Sequence, residues 1–312
     1  MSAAAVIERA AELLGHLAER DVPLGPRTTY RVGGSAALLV EIDDEAALVA
    51  VTRAVAATAI DVVVVGKGSN LLVADAGFAG LALVLGDAFG EITIDGIDVR
   101  AGAAAALPVV ARRTVAAGLT GFEWAVGVPG SIGGAVRMNA GGHGSDMAAS
   151  LTGVRVVDLR TGEDGVVRAP ALQLGYRTSA IEPHHLVVSA DLRLAPGDPE
   201  AGARTLAEIV AWRRANQPGG PNAGSVFTNP PGDSAGRLID AAGAKGLRVG
   251  SAAVSEKHAN FIQADEGGRA DDVHALMTLV VERVREASGV VLHPETRLVG
   301  FDNPQPQVEG SA

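Results

Sequence analysis

The 312-residue sequence contains no cysteine. That excludes disulfides, thiolate catalysis, Cys-ligated zinc, iron–sulfur clusters and a cysteinyl bond to flavin. Positive charge is also short: 26 Lys and Arg stand against 36 Asp and Glu, for a net charge of −10. A nucleic-acid partner therefore has no electrostatic support, although a local group of arginines can still hold a small anionic ligand. Only three of the cations are lysines; with the abundant alanine this reads as genome composition, so Lys-to-Arg choices carry little chemical weight. Long apolar runs are missing too. Runs such as 62–65 and 81–85 are far too short to span a bilayer, and no membrane insertion is expected. The opening stretch MSAAAVIERAAELLGHLAER is apolar at helical spacing but carries Glu8, Arg9 and Glu12, so it reads as an amphipathic helix and not a signal peptide. A cytoplasmic, monomeric protein is the expectation.

What is present is a chain long enough for two or three domains, with 47% apolar residues to fill their cores. Strands are expected at 37–42, 60–65, 81–85, 91–95, 98–102, 154–159, 165–168 and 185–194. Helices are expected at 44–57, 107–117, 203–215, 234–242 (with Asp233 as N-cap) and 270–287. LAPGDPEAG at 194–202 is the best linker candidate, and the Pro-, Gln- and Gly-rich tail after Phe301 is expected to fray. The elements mix without a regular βαβ repeat, so the fold class is α+β.

Two glycine-rich loops carry the first chemical signal. VVVVGKGSNLLVAD runs a buried strand into Gly66, Lys67, Gly68, Ser69, Asn70 and Leu71. Glycine lets backbone N–H groups approach a phosphate, and Ser69 and Asn70 add side-chain donors. Neither a Rossmann nor a Walker pattern is present. GFEWAVGVPGSIGGAVRMNAGGHG (121–144) supplies a second set around Gly127, Pro129, Gly130, Ser131, Gly133, Gly134 and Ala135. Two such loops point to a ligand with two phosphates; the competing reading is close packing of helix on strand.

YRVGGSA (30–36), VVGKGSNLLVADAGFAG (64–80) and the 121–144 stretch resemble the FAD domain of the UDP-N-acetylenolpyruvoylglucosamine reductases. YRTS (176–179), AGSVFTNP (223–230), SEKHANFI (255–262) and LHPETRLVG (292–300) continue the likeness in order. The resemblance implies a two-subdomain FAD-binding domain of the vanillyl-alcohol-oxidase type (1–85, joined by a C-terminal strand near 292–302, and 86–197), then a substrate domain (198–291) and a frayed tail (303–312). Tyr30 and Gly33 join the glycine loops among the implied FAD contacts. Some members of the wider superfamily attach FAD through a histidine after the first Gly-Gly; Ser35 stands there, so non-covalent FAD is expected.

The implied reaction, one step of cell-wall peptidoglycan synthesis, passes a hydride from NADPH through FAD to C3 of the enolpyruvyl group of a UDP-sugar, and a proton then reaches C2. Ser225 matches the proton donor, Arg177 the cation that steadies the enolate and carboxylate, and Glu295 the catalytic carboxyl group. Tyr176, Asn229 and Lys257 match substrate-lining positions. Asn216 and Thr228 stand where lysines are common in the family, so Arg213 or Arg214 is expected to supply the missing phosphate charge. The loop with which one subtype covers its substrate is absent, and the chain resembles the shorter subtype. No metal site is expected; His258 has no ligand partner at suitable spacing. Two other readings remain: an FAD oxidase or dehydrogenase of the same superfamily, and an FAD-binding homologue without catalysis.

Overall fold

A computed structural model describes residues 2–301; the tail expected to fray beyond Phe301 lies outside them. The described chain divides into two compact units. Among the described residues, one comprises 2–22, 37–67 and 79–215, the other 23–36, 68–78 and 216–301.

The first unit is built on two sheets. One has four strands in the order Glu19–Pro23, Ser35–Ile42, Phe78–Leu85, Val62–Val64, the last two parallel. Helices Ala3–Leu14 and Glu45–Thr58 supply the apolar residues that cover it: Ala10, Leu14, Leu48, Val51 and Val55 meet Leu38, Val40, Leu81 and Leu83 in one buried cluster. Asp44 starts the second helix by accepting the Ala47 N–H at 2.7 Å, a cap worth about 1 kcal/mol. The other sheet is antiparallel, in the order Asp164–Arg168, Leu151–Asp158, His185–Arg193, Asp98–Gly102, Ile92–Asp95. Its core takes Phe122 and Trp124, edge to face at 5.3 Å, and the helices Leu107–Ala116 and Ile132–Met138.

Two sequence expectations change here. The linker of 194–202 is half helix, because the helix spans Pro199–Asn216. Proline is tolerated in a first turn, where its missing N–H has no partner to lose. Asp198 Oδ1 accepts from the Glu200 N–H at 2.9 Å. Gly202 serves close packing: a Cβ there would stand 2.7 Å from Val115 Cγ1. Likewise Ile132–Gly133–Gly134 is not an open loop. It begins a helix capped by Ser131, whose Oγ accepts from the Gly134 N–H.

The second unit holds a three-stranded sheet, Arg248–Val249, Ala252–Val254, Ile262–Ala264, with helices Ala235–Ala241 and Ala270–Ser288. The long helix presents Val273, Leu276, Met277, Val280 and Val284 to the unit's core, as its 3.6-residue spacing requires. The shorter helix corrects the expected cap. Ser234, not Asp233, accepts from the Arg237 N–H, while the Asp233 carboxylate pairs with the Arg237 guanidinium, which holds its pKa down to about 2. Strand Arg297–Val299 lies parallel to Leu71–Val73, so a C-terminal segment completes a pair begun near the N-terminus.

Candidate active site

In the second unit, backbone hydrogen bonds hold the segment that carries Ser225 against the segment that carries Glu295. Glu295 N–H donates to Val226 O at 2.7 Å and Thr296 N–H to the same oxygen at 3.3 Å; Thr228 N–H donates to His293 O at 2.9 Å. The GSVFTNP stretch is therefore an extended segment held against HPET, bridged at Phe227 and Pro294, and not a strand of a sheet. Gly224 has φ +76°, a conformation that glycine adopts without strain, and it turns the chain into Ser225. The hydroxyl-bearing residue is half-buried between Gly224 and the sealed pair Val226–Phe227.

Asn260 makes this arrangement rigid, and the sequence reading passed over it. Its Oδ1 accepts the Phe227 N–H at 3.0 Å and its Nδ2 donates to Phe227 O at 2.8 Å, while its backbone carbonyl accepts from Val226 N–H at 2.9 Å. The signal was available: Asn260 is a polar residue inside the apolar run Ala259–Ile262, and it is buried. Asn70 acts similarly. It was expected to touch FAD, but its Nδ2 donates to Glu295 O at 3.0 Å and its carbonyl accepts from Arg297 N–H. Arg297, two residues past Glu295, is a further cation that the sequence reading missed; burial lowers its pKa.

The remaining candidates of this unit fall into two groups. Tyr30 and Gly33 are packing residues in this structure. Tyr30 is 0% exposed in the apolar core, and burial pushes its phenol pKa up. A Cβ at Gly33 would collide with the Val73 carbonyl oxygen, and one at Gly68 with that of Arg27. Asn229 and Lys257 are exposed; Asn229 Oδ1 accepts from the Ala235 N–H at 3.0 Å, at the start of a helix.

The two glycine loops prove unlike. Among the described residues, no backbone or side-chain acceptor takes the N–H groups of Gly66, Lys67, Gly68 and Ser69. The second loop's donors are already engaged: Ile132 N–H with Ala105 O, Gly133 N–H with Ala103 O, Gly134 N–H with Ser131 Oγ and Ala135 N–H with Ser131 O. The dense donor set expected from Gly133, Gly134 and Ala135 is thus a helix start fastened to its neighbours. The two stretches do meet, since a Cβ at Gly66 would stand 2.5 Å from Ser131 Oγ. Gly127 is buried under the helix Pro199–Asn216, with Ile209 and Arg213 against it.

In the first unit Arg177 sits in a tight turn closed by reciprocal Gly175–Thr178 hydrogen bonds, with φ +59°. A non-glycine residue in the left-handed region is strained by about 1–3 kcal/mol, and such strain gathers at functional sites. The turn is pinned by Asn139, whose Nδ2 donates to Gly175 O at 2.9 Å. The Arg177 guanidinium donates to Gly141 O at 3.3 Å and lies 5.4 Å from the Tyr176 ring centroid, a cation–π distance. Nearby in sequence, His143 meets Trp212 edge to face at 5.0 Å. Desolvation, then the charge of Arg213, lowers the His143 pKa, and burial lowers that of Arg213. Arg214 is exposed.

Residues 215–299 match the family described as UDP-N-acetylenolpyruvoylglucosamine reductase, C-terminal domain, and residues 36–164 match the FAD binding domain family. Proteins named UDP-N-acetylenolpyruvoylglucosamine reductase are similar along most of the chain. One from an Anaeromyxobacter species is 44% identical over 283 residues, covering 90% of this chain and 88% of its own. One from Heliobacterium modesticaldum is 44% identical and covers 89% of each. The crystal structure of the Thermus caldophilus reductase superposes with a TM-score of 0.79 at 38% identity, over 90% of this chain and 98% of that one. A Physcomitrella patens protein titled BBE-like 1 shares the fold alone, with a TM-score of 0.56 at 13% identity. With both domains matched in order and the likeness running through the segments that carry Arg177, Ser225 and Glu295, this chain belongs to the UDP-N-acetylenolpyruvoylglucosamine reductase family.

Proposed function

We propose that the protein reduces UDP-N-acetylenolpyruvoylglucosamine to UDP-N-acetylmuramate with NADPH, as one step of peptidoglycan synthesis in the cytoplasm. The observation that carries the reading is the main-chain pairing of Val226 with Glu295, which holds the segments of Ser225 and Glu295 side by side, in a chain of this family. The uncommitted N–H groups at Gly66–Ser69 fit a phosphate-bearing cofactor, and the fold is that of an FAD domain. The Gly66–Ser69 backbone would hold a non-covalent FAD, which would supply hydride transfer between NADPH and C3 of the enolpyruvyl group. Ser225 then gives its hydroxyl proton to C2. Arg177 opposes the negative charge that develops on the enolate and carboxylate, and its strained turn holds the guanidinium in place before substrate arrives. Glu295 orients that proton transfer. Pro129 and Gly130, whose loop precedes the Ser131-capped helix, join Lys67, Ser69 and Leu71 as FAD contacts. Tyr176, Asn229, Lys257 and Arg213 line the UDP-sugar.

Two half-reactions test this. Purified protein is yellow; anaerobic NADPH bleaches it, and UDP-N-acetylenolpyruvoylglucosamine restores the colour with formation of UDP-N-acetylmuramate. Bleaching by NADPH with no reoxidation by that substrate, while an alcohol or hydroxy acid is turned over, would assign the chain to the oxidase-like chemistry of the wider superfamily.

A further inference from the structure

We propose that Asp158, His184 and His185 bind one divalent cation of the zinc class. None of the three residues is assigned a role in the reaction, although His184 follows Arg177 by only seven positions. They are brought together because Asp158 ends the strand Leu151–Asp158 and pairs in register with His185, which opens the strand His185–Arg193. One ligand atom from each lies within 4.8 Å of the other two. Asp158 Oδ2 stands 3.8 Å from His184 Nε2 and 3.8 Å from His185 Nε2. These separations are somewhat wider than those around a bound zinc, whose ligands lie about 2.0–2.2 Å from the metal. Small χ rotations of the two imidazoles close the difference.

The surroundings favour a ligand set over a chance contact. The side chains are only 16–25% exposed, so the cluster is partly shielded from water. Asp158 Oδ1 accepts from the N–H groups of Arg160 at 2.7 Å and Thr161 at 3.1 Å, which fixes the carboxylate and leaves Oδ2 turned to the imidazoles. Leu159 N–H donates to His184 O at 3.0 Å, so the turn that carries both histidines is tied to the strand that carries the aspartate. His184 Nδ1 stands 3.6 Å from Glu182 Oε2, the outer carboxylate that orients a metal-binding imidazole in many sites. Asp158 and His185 also line a cavity of about 540 Å³ with Val156, Leu172 and Ile181, which leaves room for water in the remaining coordination positions.

Two imidazoles and one carboxylate select the borderline ions Zn²⁺, Ni²⁺ or Cu²⁺ over Mg²⁺ and Ca²⁺, which take oxygen ligands. His185 must change tautomer to serve. Its Nδ1 now accepts the Glu182 N–H at 3.1 Å, which puts the ring proton on Nε2. Metal binding at Nε2 moves that proton to Nδ1 and gives up the Glu182 contact. His184 needs no such change, so it is the leading ligand.

The test uses untagged, full-length flavoprotein stripped with EDTA and exchanged into metal-free buffer. Calorimetric titration with Zn²⁺ is expected to show one saturable site per chain, and zinc raises the thermal midpoint. His184→Gln, His185→Gln and Asp158→Asn each remove the site and the thermal response. Glu182→Gln weakens binding by about tenfold. His16→Gln, at an exposed histidine in another part of the chain, leaves binding unchanged. Comparison of thermal midpoints without zinc separates lost folding from lost binding; should Asp158→Asn misfold, the two histidine variants decide. Absence of a saturable site, or equal binding in parent, His184→Gln and His185→Gln, overturns the proposal. Neither result bears on the reductase reading, which the flavin half-reactions test separately.

Discussion

Ser225 and Arg213 show how the setting of one side chain decides its chemistry. A serine hydroxyl is a weak acid, so it serves as a proton donor only when held against a strongly basic carbon. Here its neighbours Val226 and Phe227 are sealed in the core and its backbone is fastened to the Glu295 segment. Ser225→Ala removes one oxygen without disturbing those contacts. Flavin bleaching by NADPH is expected to keep its rate, while reoxidation by the enolpyruvyl substrate falls by about 10²-fold or more. Ser225→Cys restores part of it. Stopped-flow traces that slow equally in both halves would make the serine structural. The two neighbouring arginines are distinguished by burial. Arg213 packs on Gly127 and is partly desolvated, whereas Arg214 is exposed. A charge-assisted contact in such surroundings is worth about 1.5–3 kcal/mol. Arg213→Ala should therefore weaken binding of the UDP-substrate by about one to two orders of magnitude, and Arg214→Ala by far less. Equal dissociation constants for the two variants would remove the assignment.

At the scale of elements, the segment that carries Ser225 belongs to no sheet, and a buried asparagine stands in for a partner strand. Asn260 meets both main-chain polar groups of Phe227, as a neighbouring strand would. Asn260→Ala leaves a buried N–H and a buried C=O without partners, at about 1–3 kcal/mol each. Urea denaturation is expected to show a loss of about 2–5 kcal/mol, with a slowed second half-reaction because Ser225 loses its seat. A loss below about 1 kcal/mol would mean that water or a neighbouring group replaces the amide. The same scale explains why the second glycine loop departs from expectation. A run such as Ser131–Ala135 can be a phosphate cradle or a capped helix start. The decision lies with the carbonyl groups of Ala103 and Ala105, which the local sequence does not reveal.

For the whole molecule, Ser35 stands where a covalent histidine link would be made, and no cysteine exists to make another. The flavin is therefore expected in the supernatant after acid precipitation, with the spectrum of free FAD; yellow colour retained by the precipitate would show a covalent bond. Among the described residues no helix is long and apolar enough to cross a membrane. Three apolar clusters, two in the first unit and one in the second, account for how a chain with 3% aromatics fills its interior: mostly with Val, Leu, Ile and Ala.

The sequence by itself determined the α+β class, most helices and strands to within a few residues, and the family, because periodic apolar patterns and ordered motifs are local and survive without a fold. The helix that starts beside Asp44, the 3.6-residue stripe from Val273 to Val284 and the Ser225, Arg177 and Glu295 motifs were all legible in that way. Tertiary structure alone decided what each glycine and amide does. Gly33 and Gly202 are close-approach positions, Asn70 and Asn260 are braces for the Glu295 and Ser225 segments, and Asp158 meets two histidines, one opening the neighbouring strand and one in the turn before it. Each of these depends on a carbonyl, N–H or side chain supplied by residues remote in the chain. A hydrogen bond or a steric contact is specified only when both partners have been placed, and one-dimensional spacing places only the first.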